Sequence, residues 1–380
     1  MREIHKIVIA SDSFKGSLSS SEIAEAAEQG IRTIYPNCNV VKIPVADGGE
    51  GTVDALISLT DGHYETCIVH DPLMHLIEAS YGILGDNRTA VIEMAASSGL
   101  PLVAPDKRNP AVTSTFGTGE LILDALKKGC TEFLIGIGGS ATNDAGIGML
   151  QALGFVFRDI HGEPVGQGGG VLQHIASIDR SEVTPLLTNV NFSIACDVNN
   201  PFCGESGAAF VFARQKGADD NMIVALDRGM AHFAEVIRQE EHIDIQNLPG
   251  AGAAGGLGGG FVAFLGAQLK PGIQLVLDAI DFDKRIVGAD LLITGEGRMD
   301  AQTCMGKAPV GILHAAARQG IPVIGIAGSV EETESLCDAG FLAVMPLLPA
   351  PVSLEKAMEK AYAQKNISRT VWQLLRLINM

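Results

Sequence analysis

Five short polar runs carry the residues that could do chemistry in this chain. They are Asp12-Ser13-Phe14-Lys15-Gly16-Ser17, Asp47-Gly48-Gly49-Glu50-Gly51-Thr52, Gly138-Gly139-Ser140-Ala141-Thr142-Asn143-Asp144, Asp197-Val198-Asn199-Asn200-Pro201 and Glu296-Gly297-Arg298-Met299-Asp300. Each follows an apolar run with the length of a buried strand. Carboxylates beside Lys, Arg and glycine turns are what phosphoryl transfer needs. Carboxylates hold Mg²⁺, cations and backbone amides hold phosphates, and one acid accepts a hydroxyl proton.

Every run also has a plainer reading. Asp12 and Ser13 could cap the first helix, and Lys15 alone reads as a solvated surface lysine. Asp47 and Glu50 could be turn formers, Asn143 and Asp144 helix caps, and Asp197 the start of an Asx-turn. Arg298 and Asp300 could be an exposed ion pair of little energetic weight. Repetition at five strand ends favours the chemical reading, because the carboxyl ends of parallel strands converge on one edge.

The elements that must position these runs follow from periodicity. Residues 5–10 and 39–45 read as strands. Residues 19–34 read as a helix opened by a Ser19/Glu22 capping box, and residues 51–59 as a second helix. That is β-α-β-α, the pattern of a parallel sheet. Residues 76–84 and 89–94 form a hairpin around Gly85-Asp86-Asn87-Arg88 and are therefore antiparallel. Strands are expected at 132–138, 190–196, 290–294 and 321–327, with helices at 308–319 and 331–339. His70 and His75 are read as lying in a loop around Asp71-Pro72. The segment 353–379 carries Leu354, Met358, Ala361, Val371, Leu374, Leu375 and Ile378 at helical spacing, with a homodimer face as one use for it. The expected fold is α/β with two domains. A doubly wound parallel-sheet domain is built from residues 1–66 and 286–380. A mixed-sheet α/β domain, 67–285, is inserted in it, and the active site is expected in the cleft between them.

Composition narrows the classes. The chain has 380 residues, 47% of them hydrophobic, so it can bury a large core; with only 5% aromatic residues, aliphatic side chains must fill it. The 45 glycines are clustered between apolar runs without a period, which points to tight turns rather than a fibrous repeat. A net charge of −17 repels a phosphate backbone, which argues against nucleic acid as a partner. The seven cysteines, an odd number, are widely spaced with no CxxC, as in a reduced cytoplasmic protein. No run of about 18 apolar residues or leader-like start is present, so no membrane association is expected.

Two glycine-rich runs imitate dinucleotide fingerprints. Gly250-Ala251-Gly252-Ala253-Ala254-Gly255 does not follow a clear strand. Gly136-Ile137-Gly138-Gly139-Ser140-Ala141 does, but no second strand ending in an acid follows. Gly306-Lys307 is followed by Ala308, so there is no Walker A motif. Cys196 next to Asp197 reads as a strand-end thiol.

In order through the whole chain, SDSFKGS (11–17), ADGGEGT (46–52), FGTGELI (116–122), GIGGSATNDAG (136–146), ACDVNNPFCG (195–204), FARQKGA (212–218), GAGAAGGLG (250–258) and ITGEGRMDAQT (293–303) resemble the bacterial glycerate kinase family of glyoxylate and sugar-acid breakdown. The resemblance implies ATP with Mg²⁺ as cosubstrate, D-glycerate as acceptor and 2-phosphoglycerate as product. On that footing Lys15, Asp47, Asp197 and Arg298 are the expected catalytic residues. Arg298 would hold the glycerate carboxylate in bidentate fashion, Lys15 the transferred phosphoryl group or glycerate, and Asp47 or Asp197 would take the hydroxyl proton. Ser13 and Asn143 join Lys15 and Arg298 as substrate-binding residues. Gly138, Gly139, Ser140, Gly252, Gly255, Gly256 and Glu296 would bind the nucleotide. Glu50, Asp144 and Asp300 are the Mg²⁺ candidates.

Other outcomes stay open at this point. They are a kinase giving 3-phosphoglycerate or acting on another hydroxy acid, a nicotinamide-dependent dehydrogenase, and a non-catalytic metabolite sensor. A sensor would need fewer carboxylates.

Overall fold

The run Ile7-Val8-Ile9 has no exposed surface at any of its three residues. Successive strand side chains point to opposite faces, so a strand buried at every position must be covered on both. A computed structural model, which describes residues 4–49, 51–301 and 303–378, shows how. The chain forms two compact units, Met1–Asp47 with Asp54–Leu59 and Val276–Met380, and Gly48–Val53 with Thr60–Leu275.

The first unit is built on a five-stranded sheet. Its strands are β1 (Lys6–Ile9), β2 (Asn39–Lys42), β11 (Leu291–Met299), β12 (Val323–Val330) and β13 (Ala343–Pro346). The order is β13-β12-β11-β1-β2, and every pair is parallel. Ile7 and Ile9 join a cluster with Ile23, Ala27 and Ile31 of the helix Ser20–Ile34 and Ile367, Val371 and Leu375 of the helix Lys360–Ile378. Val8 points the other way and is equally buried. This is a doubly wound α/β sheet. The Ser19/Glu22 capping box forms as the spacing predicts, with Ser19 Oγ accepting from Glu22 N at 3.2 Å and Glu22 Oε2 from Ser19 N at 2.8 Å. The C-terminal stripe is used within this unit: Val371, Leu374 and Leu375 are buried.

The second unit holds a six-stranded sheet in the order β10-β9-β6-β5-β4-β3. These strands are β3 (His63–His70), β4 (Leu76–Ile83), β5 (Thr89–Glu93), β6 (Glu132–Gly136), β9 (Asn191–Ala195) and β10 (Gln268–Lys270). β5, β6, β9 and β10 run parallel, while β4 and β3 are antiparallel additions. A small ribbon pairs β7 (Val156–Arg158) with β8 (Ser177–Asp179).

Three expectations change. The segment around His70 is not loop alone: β3 runs from His63 to His70 as an edge strand, its period blurred by Tyr64, Thr66 and Ile68 on the solvent face. A domain boundary at 66/67 would cut through it. β11 and β12 run past 294 and 327 to Met299 and Val330, so Glu296, Gly297 and Arg298 lie within a strand and not in the turn after one. Gly295 permits this, since a Cβ there would come 2.2 Å from Ile326 O on the neighbouring strand.

Candidate active site

In the first sheet, β1 leads to β2 on one side and β11 leads to β12 and β13 on the other. The order reverses between β1 and β11, and ligands of such sheets bind at the strand carboxyl ends there. Asp12 follows β1. Its backbone N–H donates to Gly295 O at 3.1 Å, and Ser11 Oγ donates to the same carbonyl at 2.9 Å. These bonds hold Asp12 beside Glu296. Phe14 N donates to Leu18 O at 2.8 Å and Ser17 N to Phe14 O at 2.7 Å, closing a turn with Gly16 at φ +79° and Lys15 exposed near its tip.

A pocket of ≈ 540 Å³ opens here within the first unit. The strand ends contribute Asp12, Ser13, Lys15, Asp47, Glu296 and Arg298, and Lys307 precedes the helix Ala308–Ala317. The C-terminal segment contributes an apolar wall that includes Leu347, Leu348, Ala357 and Met358. Lys15 Nζ lies 3.8 Å from Asp47 Oδ2, and Lys307 Nζ 3.7 Å from Glu296 Oε2. Thr303 Oγ1 donates to Glu296 Oε1 at 2.6 Å. Arg298 reaches Asp300 through Nε at 3.0 Å and Glu331 through Nη2 at 2.8 Å.

Burial, then the charge of Asp47, pushes the Asp12 carboxyl up to about 6, while the Ser13 amide and Lys15 pull the other way. Burial also raises Glu296, against the Thr303 hydroxyl and Lys307. Among the described residues no three His, Cys, Asp or Glu side chains form a metal cage. The residues still fit Mg²⁺ bound with a nucleotide. Asp47 and Glu296 both oppose ionisation of Asp12, so a cation would relieve their repulsion, and phosphate-bound Mg²⁺ needs only one or two carboxylates.

The second unit has its own strand-end cluster, of a different kind. Asp144 and Asn143 have no exposed surface. Asp144 Oδ2 accepts from Thr115 N and Thr115 Oγ1, both at 2.8 Å, and from Gly148 N at 3.3 Å, while Oδ1 accepts from Gly146 N at 3.1 Å. Asp144 is therefore corrected from Mg²⁺ ligand to a buried carboxylate that ties the loop before the helix Ile147–Ala152 to residue 115. Asn143, expected to bind substrate, is likewise enclosed, with Nδ2 3.2 Å from Met230 Sδ. The glycines at 252–256 pack and do not cradle. Gly252 N already donates to Asn200 O and Gly256 N to Gly252 O, and a Cβ on Gly255 would meet Thr142 O at 2.1 Å. Gly138 and Gly139 are exposed after β6, whereas Ser140 is buried and its Oγ accepts from Lys216 Nζ at 2.6 Å. Lys216 is fully enclosed, also donates to Thr142 O at 2.6 Å, and burial brings its ammonium down to about 7. Asp197 is exposed at the end of β9, with Oδ1 accepting from Gly272 N at 2.9 Å. Glu50 lies outside the described residues.

The first unit thus brings together Ser13, Lys15, Asp47, Glu296 and Arg298, with Asp300 paired to Arg298. Sequence reasoning passed over Asp12 as a cap, although the Ser19/Glu22 box had already supplied one. Lys307 was weighed only as a failed Walker lysine. Glu331 and Lys216 were not singled out; Lys216 stands inside FARQKGA, so its motif was visible but its burial was not.

A doubly wound sheet with paired carboxylates and lysines at its switch point defines an α/β enzyme acting on a small molecule. The model of the glycerate kinase family matches residues 7–379. A glycerate 2-kinase of Escherichia coli K12 is 49% identical over 372 residues, covering 96% of this chain and 98% of the relative. A glycerate kinase of Halalkalibacterium halodurans is 49% identical over 358 residues, 94% of each chain. A crystal structure of a Salmonella typhimurium LT2 protein superposes with a TM-score of 0.90 at 46% identity, covering 99% of both chains. The chain belongs to the glycerate kinase family and is an enzyme, a kinase of that family. Among the described residues no helix is long and apolar enough to cross a membrane.

Proposed function

We propose that this enzyme transfers the terminal phosphoryl group of ATP to the 2-hydroxyl of D-glycerate, giving 2-phosphoglycerate in the breakdown of small organic acids. The observation that carries the reading is Asp12. It is a buried carboxyl raised to about 6, set among Asp47, Lys15 and Glu296 at the sheet's switch point. A base must be ionised near neutrality yet still bind a proton well, and that value serves both needs. Asp12 takes the hydroxyl proton as the oxygen attacks. This assigns to Asp12 the step expected of Asp47 or Asp197.

Lys15 and Lys307 neutralise phosphate oxygens. Arg298 holds the glycerate carboxylate, which displaces Glu331 from an exposed pair of small energetic weight. Ser13 supplies a hydroxyl to the same substrate. Asp47 and Glu296 would hold Mg²⁺, whose part is to offset charge on the phosphates. The 2-position is supported by the name of the Escherichia coli relative.

Phosphorus NMR of the protein with ATP, Mg²⁺ and D-glycerate tests the reaction. A 2-phosphoglycerate signal is expected. A 3-phosphoglycerate signal would keep the kinase and overturn the position, and no glycerate-dependent product from folded protein would sink the substrate.

A further inference from the structure

Asn366 lies on the helix Lys360–Ile378, is 3% exposed and lines the pocket of the first unit. Its Nδ2 has no hydrogen-bond partner among the described residues. Leaving a buried donor unmade costs about 1–3 kcal/mol, so a group in this position calls for a partner. Close to it in the chain the pocket is apolar: Leu347, Leu348, Leu354, Ala357 and Met358 line it. A phosphate chain could not use that wall. A flat apolar ring with polar atoms on its edge could, while Lys15 and Lys307 serve the anionic part of the same molecule.

We propose that this wall is the nucleobase subsite, with the purine lying against Leu347, Leu348, Ala357 and Met358 and the Asn366 carboxamide reading its edge. A carboxamide offers one donor and one acceptor side by side. Adenine presents the complementary pair at N6 and N7, whereas guanine presents two acceptors at O6 and N7. Asn366 therefore selects adenine over guanine. The inference rests on the reading that ATP is the phosphoryl donor, and nothing about glycerate recognition depends on it.

The test compares the wild type with Asn366→Leu and Ala357→Trp. Leucine removes an unpaired buried amide, so the Asn366→Leu melting temperature should be unchanged or higher. Tryptophan should fill the apolar wall from a partly exposed position. The KM for ATP should rise about tenfold or more in Asn366→Leu, which loses both hydrogen bonds of the carboxamide, and further in Ala357→Trp. The KM for D-glycerate and the inhibition constant of inorganic tripolyphosphate, which has no base, should not move. The wild-type preference for ATP over GTP should vanish in Asn366→Leu. An unchanged KM for ATP in a folded Asn366→Leu, or equal weakening of ATP and tripolyphosphate, overturns the inference. If Ala357→Trp does not fold, Asn366→Leu decides alone. A wild type inactive with ATP defeats the underlying reading instead. Calorimetric titration of ATP into wild type and Asn366→Leu then judges the subsite, and equal affinity, or none in either, overturns it.

Discussion

The two strand-end clusters use the same residue types and behave differently. Around Asp12, Asp47 and Glu296 the carboxylates repel one another, and their cations stand at loose distances of 3.8 and 3.7 Å. Around Asp144 one carboxylate takes four donors, and Lys216 is shut away with a hydroxyl and a carbonyl. The first cluster sets mutually repelling carboxylates and loosely held lysines on a pocket. The second has given its own to the fold. Carboxylates and lysines after a strand do not by themselves mark a reacting centre; repelling carboxylates and loosely held cations facing a pocket do.

The sharpest way to break this contrast is to remove the first cluster's base. Asp12→Asn should lower kcat by about 10²–10⁴. It should also stabilise the protein at neutral pH. An acid whose pKa is raised on folding, here from 3.8 to about 6, makes stability fall as pH rises through that window, and the loss is complete above it. The wild-type rate should climb through pH 6 and the variant's should not. A variant both slow and less stable would mean Asp12 is structural.

Arg298→Ala comes next: kcat/KM for D-glycerate should fall by about 10²-fold with the KM for ATP little changed. Steady-state kinetics with each substrate varied would check it, and equal losses for both substrates would remove Arg298 from carboxylate recognition.

Asp144→Ala should do the opposite of Asp12→Asn. It strands the Thr115, Gly146 and Gly148 donors in the interior and should cost about 2–4 kcal/mol in a denaturant titration, with KM values of the folded protein unchanged. A stable but inactive Asp144→Ala would return that residue to the chemistry.

Lys216 supplies the subtlest contrast. A lysine lowered on folding from 10.5 to about 7 is neutral in the folded state and charged in the unfolded one between those values. Stability should therefore rise with pH across that window, the reverse of the Asp12 slope. Lys216→Met should flatten the rise. A slope unchanged in the variant would assign it to other groups.

Much of this was legible in the residues themselves. Local periodicity sufficed for β1, the capped helix after it, the hairpin around residues 85–88 and the strands β6 and β9 taken singly. These depend on neighbours a few positions apart. The five polar runs were also found at or near the carboxyl ends of strands, because glycine and carboxylate clusters interrupt apolar runs abruptly. β3 was missed because an edge strand with apolar residues on its solvent face loses its alternation.

What the sequence by itself determined was therefore the α/β class, the position of the polar runs along the chain and, through their ordered set, the family. What only the tertiary structure decided was which of those carboxylates remain available. Asp144 is saturated by residues 115, 146 and 148, Lys216 is enclosed by residues 140 and 142, and Asp12 is set against residues 295 and 296. Burial and partner count arise from segments far apart in the chain. A motif read along the backbone carries no measure of either until those segments meet.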